Sequence, residues 1–576
     1  MARRGGRIHV VTNRRSGASG KEYVTHLLRR TYREGGKVRN ETVGNISHLP
    51  EELVELVRRW LRGERFLVSV EAFQVERSLP HGHAAAVLAM ARTLGLARLL
   101  ERAPSEARAR ALAMLCQRVL EPGSKLACTR ALDQSTLAEE LAVEGVDADE
   151  LYAAMDWLLE RQPTIEARLA RRHLTPGTLV LYDVSSSYFE GRSCPLLGRG
   201  YLRDRRRGSL QIVYGLVCDP EGRPLAIEVF PGGVHDDKTL LSQVAKLRRR
   251  FALRTLVLVV DRGMVTEANL EALREEEGIS WISALKAPQV KKLVKEGSLQ
   301  LSLFDELNLA EITSEGYPDE RLVVCRNPLV AAERRRKRDD LLAATEAELA
   351  PIKARVEART LRGAAAIGLA VGQVANKRKV KKHLELTIED ERFEYARKEE
   401  QIAEEAALDG FYVLRTSVSP EQLSAPEVVR SYKALAQAER AFRTLKGPEL
   451  ELRPIHHRLE QRVRAHAFLC LLAYYLEWHL RKVWAELLFD DERPPLPEDP
   501  VAKAERSPEA KRKASTQRTA AGEACHSFRS LLAELATVVR DTNRITATDA
   551  TFTKVTNANP TQARALELVG LDPTRL

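Results

Sequence analysis

Residues 179–191 read LVLYDVSSSYFEG. The apolar start has the length and composition of a buried strand. It then meets a carboxylate at Asp183 and three consecutive serines. Such a strand either runs out into a polar turn or holds its charge at the rim of a sheet. The choice depends on whether other acids can meet Asp183.

Outward from this stretch the pattern predicts a mixed sheet flanked by helices. After a break at Pro176-Gly177, TLVLYD is a first strand, SLQIVYGLVCD a second and LAIEVF, beyond the turn PEGRP, a third. KTLLSQVAKLRRR (238–250) is an amphipathic helix and TLVLVVD (255–261) an uninterrupted apolar strand. EANLEALREEEG reads as another helix and ISWISAL as a short strand. Hairpin-joined strands followed by alternating helix and strand is the element order of an α/β ribonuclease H-like core.

Residues 176–285 form the first part of this core. Residues 286–405 read as an insertion subdomain, with strand signals (RLVVC, HLELTI) and a long charged helix around 329–360. The second part, 406–490, resumes with the strand DGFYVLRTS, the helix APEVVRSYKALAQAERAFRTLKG and a strongly apolar helix. Before the core, residues 1–66 read as a basic hairpin (22–46, on a Gly-Gly turn) plus a helix. Residues 67–175 are Ala-, Leu- and Arg-rich with helical periodicity, so the N-terminal module is expected to be mainly helical and to bind DNA. Residues 491–524 read as a linker and 525–576 as a C-terminal module.

Composition narrows the function. The 576 residues are 44% hydrophobic and 30% charged, which describes a globular protein with several cores. No apolar run approaches the ~20 residues of a membrane span, and the basic N-terminus lacks the apolar core of a secretory signal. A cytoplasmic location without membrane partners is expected. The seven cysteines are scattered without a CxxC pair, which fits buried thiols better than zinc or disulfides. Net charge is +11. The excess concentrates in residues 1–50, Arg203–Arg207, Arg334–Arg338 and Lys377–Lys382. Single basic runs are ordinary solvated faces, but four in one chain point to nucleic acid.

Two acids can meet. Asp183 ends the first strand, Asp261 ends the fourth, and in this element order the two strands are neighbours. Paired carboxylates repel unless a cation neutralises them, and an all-oxygen pair suits Mg²⁺ or Mn²⁺. A third acid is expected from Glu439. On one continuous helix, Tyr432, Leu435, Glu439, Arg443 and Lys446 share a face, which places a candidate metal ligand among groups that can hold phosphates.

The motifs LYDVSSSYFEG, VVDRGM and Y-x2-L-x3-E-x6-K resemble the DDE transposases of bacterial insertion sequences. The likeness is to the cut-and-paste group with the Tyr-Arg-Glu-Lys signature, over roughly 176–285 and 405–480. It implies that Asp183, Asp261 and Glu439 are catalytic and hold two Mg²⁺ (or Mn²⁺) ions. It also implies that Tyr432 and Lys446 contact phosphates of the element's terminal DNA. Leu435 fills the family's arginine slot, so Arg440 or Arg443 is expected to supply that contact. The implied partners are double-stranded DNA, meaning terminal inverted repeats and target, and a second copy of the chain in the synaptic complex. Members of the group can pass through a DNA hairpin with a flipped base stacked on an aromatic; Trp281 is a candidate, though its strand context favours core packing.

Other residues carry weaker signals. His235-Asp236-Asp237 could extend the acid cluster, but an N-cap for the following helix explains it as well. His456, His457 and His466 lack partners at zinc spacing, and His456 or His457 could touch DNA. Ser185–Ser187 have no GxSxG elbow and read as a polar strand exit; Glu190 stays open. Two competing functions remain: an inactive transposase-derived DNA-binding protein, and a metal-dependent phosphohydrolase. The second usually carries a DxD motif, and here position 185 is serine.

Overall fold

A computed structural model describes residues 6–16, 22–64, 66, 73–200, 209–304, 307–546 and 550–576. The basic run Arg203–Arg207 lies outside the described residues. The chain divides into two compact units, residues 1–78 with 540–554, and 79–539 with 555–576.

In the first unit β1 (Arg7–Ser16), β2 (Glu22–Glu34) and β3 (Lys37–Asn45) form an antiparallel sheet. The β2–β3 hairpin is the expected one. Its turn takes Gly35 and Gly36 at φ of 60° and 79°, a left-handed pair that only glycine adopts without cost. The expectation of a mainly helical N-terminal module is corrected here. β1 precedes the hairpin, and β4 (Phe73–Pro80) joins a second sheet with strands Val539–Ile545 and Thr551–Val555. Both are rich in charged side chains, and β4's partner lies more than 450 positions away, so local periodicity cannot announce the pairing. The helix expected after the hairpin is present at Glu51–Leu61.

The second unit is helical over 82–173, as expected. Its longest helix there, Ala148–His173, starts on a capping box made by Asp147 and Glu150. Then comes the main sheet: β5 (Thr178–Tyr188), β6 (Gln211–Cys218), β7 (Pro224–Phe230), β8 (Leu256–Val260), β9 (Ile279–Ala284), β10 (Leu309–Ile312) and β11 (Arg321–Arg326). A separate pair, β12 (Leu384–Ile388) and β13 (Phe393–Arg397), precedes the eighth member, β14 (Phe411–Thr416). The order is β10-β11-β14-β9-β8-β5-β6-β7. β5 pairs antiparallel with β6 and parallel with β8, and β8 pairs parallel with β9. This mixed sheet with helices is consistent with the order expected for the core. The helix Glu460–Val483 packs on β7 and on the helices Glu106–Leu120 and Ala148–His173. It is apolar nearly all round, with Phe468, Leu469, Leu472, Tyr475 and Leu476 buried, as a helix enclosed on every side must be.

Three boundaries differ from the sequence reading. First, β5 does not end at Asp183; it continues to Tyr188, with Ser185–Ser187 buried and paired to β6. The serines therefore belong to the strand interior. Second, the insertion is only partly separate, because β10 and β11 extend the core sheet. The independent part is 328–406, where the helices Pro328–Glu357 and Ala364–Lys377 share a cluster with β12 and β13 that includes Leu342, Leu349, Ile367, Val371 and Phe393. It leaves after β11 and returns into the antiparallel neighbour β14, whose outermost rung is Arg326↔Phe411. The Asn327 N–H donates to Gly410 O at 3.0 Å, and a Cβ at Gly410 would stand 2.4 Å from that Asn327 carbonyl oxygen. Arg338 and Asp409 close the base with a buried ion pair at 2.6 Å. Third, 491–524 is no free linker. Val501 and Ala510 are buried, and Pro508–Thr516 is helical. The C-terminal helices Phe528–Ala536 and Pro560–Leu568 likewise join the main core through Leu531, Leu535, Ala565 and Leu566.

Candidate active site

The β5–β8 ladder runs in register from Thr178↔Leu256 to Tyr182↔Val260. The next position on each strand is Asp183 and Asp261. Parallel neighbours lie about 4.8 Å apart, so one ladder delivers both carboxylates to adjacent positions. Asp183 accepts from its neighbour Val184 N–H at 2.8 Å. Asp261 sits where β8 gives way to a turn, closed by Met264 N–H on its carbonyl at 3.0 Å.

The third acid arrives on a helix. Leu435–Lys446 buries Leu435, Ala438, Ala441, Phe442 and Leu445 and packs on β5 and β6. Glu439, Arg440 and Arg443 occupy its exposed side. The expected single helix is corrected to two, Ala425–Lys433 and Leu435–Lys446, meeting at Ala434. Gln437 N–H bonds Ala434 O at 2.8 Å, a tighter turn that interrupts the regular ladder. Tyr432 therefore belongs to the preceding helix and does not continue the Glu439 face. It still reaches the site. Burial first, then the negative charges of Asp261, Glu439 and Asp183, push its phenol up to about 12, with Arg262 opposing. That phenol stays protonated and can donate a hydrogen bond.

Lys446 is anchored. Its Nζ donates to Ser185 Oγ at 2.6 Å and to Ser186 O at 2.5 Å, and lies 5.7 Å from the Tyr214 ring centre. It thus ties the glutamate helix to β5 two residues beyond Asp183. Leu435, in the arginine slot, is 6% exposed and part of the core. Arg262 is the group that sequence reasoning missed: exposed, directly after Asp261, and electrostatically coupled to Tyr432. Its signal was the arginine within VVDRGM.

Asp236 joins from the turn before the helix Asp237–Arg249. It occupies the N-cap position with helical φ and ψ and makes no side-chain cap bond, so the capping explanation fails for it. Instead its carbonyl accepts from Thr239 Oγ1 at 2.6 Å, and Thr239 Oγ1 accepts from Tyr182 OH at 2.8 Å. A Cβ at Gly263 would have Asp261 Oδ2 at 3.7 Å and Asp236 Oδ2 at 3.9 Å, so both carboxylates face the same glycine. Beside them opens a cavity of about 670 Å³ lined by Ser185, Ser186, Gln211, Asp236, Gly263 and Lys286 among others. Ser186 Oγ and Gln211 Oε1 are buried there with no hydrogen-bond partner among the described residues.

Among the described residues no three acid, histidine or cysteine side chains close to metal-holding distance. Asp183 and Asp261 are adjacent by register, and Glu439 shares their electrostatic environment at Tyr432. The donor set is all oxygen, which fits a hard divalent ion.

The remaining candidates resolve individually. Trp281 is 2% exposed in β9 and packs in the core with Arg415 over its ring. His456 and His457 lie in the segment before the helix Glu460–Val483, and His466 is buried on it. Glu190 is exposed, with its N–H on Ile455 O at 3.0 Å. Two basic runs are partly spent inside the fold. Arg338 pairs with Asp409, Lys377 and Arg378 share Glu348, and Lys382 binds Glu405. Six of the seven cysteines are buried and all are free, as expected. No described helix is long and apolar enough to cross a membrane.

Comparisons with known proteins point to transposases. The profile of the transposase DDE domain matches residues 198–476, which include Asp261, Glu439 and Lys446 but begin after Asp183. The profile of the IS1634 family transposase N-terminal domain matches residues 8–68. No curated protein matches the chain. Among solved structures, a cryo-EM structure of the piggyBac transposase synaptic complex with hairpin DNA aligns at TM-score 0.34 and 10% identity, over 79% of this chain and 76% of that one.

Proposed function

We propose that this chain, a DDE transposase acting on DNA, cuts transposon ends and joins them to target DNA with Asp183, Asp261 and Glu439 as its catalytic acids. The observation that carries the assignment is the β5–β8 register, which brings Asp183 and Asp261 side by side. The core is read as ribonuclease H-like, and the enzyme as one of the cut-and-paste group whose signature runs through Tyr432, Glu439 and Lys446.

Asp183, Asp261 and Glu439 would hold two Mg²⁺ or Mn²⁺ ions, which when bound supply activation of water or a 3′-OH and stabilisation of the leaving oxygen. The chain's own groups do the rest. The protonated Tyr432 phenol donates to a phosphate oxygen. Arg262, with Arg440 and Arg443 on the exposed side of the glutamate helix, offsets phosphate charge where Leu435 cannot. Lys446 keeps the helix seated on β5, so Glu439 holds its place as DNA arrives. Two ends must be held at once, so two copies of the chain are expected in the synaptic complex.

The test is cleavage of DNA carrying an element end and its flank, with Mg²⁺, by wild type and by Asp183→Ala, Asp261→Ala and Glu439→Gln. Loss of cleavage with DNA binding retained is expected. Undiminished cleavage by any of the three sinks the assignment, and binding without cleavage by the wild type favours an inactive DNA-binding relative.

A further inference from the structure

Six lysine or arginine side chains are buried among the described residues: Arg118, Lys125, Lys246, Arg338, Arg415 and Lys513. Four of them meet a carboxylate. Lys246 binds Glu228 at 2.6 Å, Arg338 binds Asp409 at 2.6 Å, Arg415 binds Glu320 at 2.5 Å and Lys513 binds Glu492 at 3.1 Å. Arg118 and Lys125, 5% and 3% exposed, have no ion pair among the described residues, and both line one cavity of about 250 Å³.

That cavity is built for an anion. Arg118 spends N–H groups on Gly123 O at 2.9 Å and, more loosely, on Leu450 O at 3.5 Å, both neutral acceptors. Lys125 is the first residue of the helix Lys125–Asp133, whose N-cap Ser124 accepts from Ala127 N–H. Its ammonium thus stands at the positive end of a helix, where a cation is disfavoured and an anion favoured. His466, 5% exposed, also lines the cavity; its Nε2–H donates to Leu452 O at 3.3 Å, so its Nδ1 is a neutral acceptor and Arg118 and Lys125 are left to hold the anion. Exposed Ser124, Glu451, Pro454 and His456 form the mouth. A buried charge is costly unless an opposite charge accompanies it, and Glu451 lies outside ion-pair distance of both cations.

We propose that this cavity is a binding site for a phosphate group, and that the phosphate is a phosphodiester of the DNA the enzyme works on. Its place in the fold favours DNA over a free anion. β5 carries Asp183, and six residues on, roughly 20 Å along an extended chain, Phe189 bridges to Ile455. His456, at the cavity mouth, follows directly. A strand held at the carboxylates and running along β5 meets this mouth within a few nucleotides. The charge state agrees: desolvation lowers Lys125 to about 8 and His457 to about 4, so at neutral pH the lysine is charged and the imidazole is not.

Titration of the metal-free full chain with inorganic phosphate, followed by calorimetry and by thermal unfolding, tests this. One phosphate per chain is expected. Lys125→Met should weaken it by about tenfold or more and should raise the unfolding temperature in phosphate-free buffer, because it removes an uncompensated charge. His456→Glu, at an exposed position that leaves the core untouched, should weaken phosphate binding as well. Saturation with an element-end duplex should abolish phosphate uptake. No phosphate binding by wild type, or binding by both variants as tight as wild type, overturns the site. Unchanged phosphate uptake by the DNA-bound protein overturns the DNA assignment. Neither result depends on cleavage, so the outcome is separable from that of the carboxylate variants.

Discussion

The three acids proposed for the active site are positioned by two different devices. Asp183 and Asp261 are set by a backbone ladder, rung by rung from Thr178↔Leu256. Glu439 is set by a packed face, with Leu435, Ala438, Phe442 and Leu445 buried where the helix meets β5 and β6 and Lys446 tethering it to β5. A ladder holds its members to the register of the sheet, and slipping by one residue would turn every side chain over. A packed face can shift when its contacts change. The strand pair is therefore the fixed half of the site and the helix the adjustable half.

That contrast can be broken from either side. Asp183→Asn or Asp261→Asn should leave folding intact and lower cleavage on the order of a thousandfold, as loss of several kcal/mol of charge stabilisation requires; single-turnover cleavage with Mg²⁺ measures it. Phe442→Ala removes packing instead of chemistry. It should cost about 3–5 kcal/mol by denaturant unfolding and reduce cleavage through misplacement of Glu439, while Glu439→Gln reduces cleavage at full stability. Lys446→Met should cost about 1–3 kcal/mol, and Ser185→Ala, which removes one of the lysine's acceptors, less. A Lys446→Met enzyme with unchanged stability would mean the tether is not structural. Smallest is Tyr432→Phe, expected to slow cleavage about tenfold with stability within about 0.5 kcal/mol of wild type. Because burial, the largest cause, holds the wild-type phenol above the ordinary tyrosine range, its contribution should persist as pH approaches 10, where an ordinary tyrosine loses half its protons.

The ladder half was legible in the sequence and the packed half only partly. LVLYD and LVLVVD are apolar runs ending in acids, and their parallel pairing follows from element order. The serines misled because local polarity resembles a strand exit; their burial comes from β6 on one side and the Lys446 ammonium above. The bend at Ala434 carries no helix breaker, so nothing in KALAQA announces it. Arg262 looked like any surface arginine until Tyr432 was placed beside it. β1, β4 and Val539–Ile545 were missed for a different reason: what makes them strands is a partner, in two of these cases hundreds of residues away.

The excursion at 328–406 departs and re-enters through a single rung, Arg326↔Phe411, with the Asn327–Gly410 hydrogen bond shutting the gap behind it. Its two ends are thus already joined as a hairpin would join them, whatever lies between. The entropy of closing that loop grows only slowly with its length. The segment is in effect a socket: cargo of another size or chemistry could be plugged in at the same two residues without moving Asp261 or Asp183, which stand two and three strands beyond β14 across the sheet.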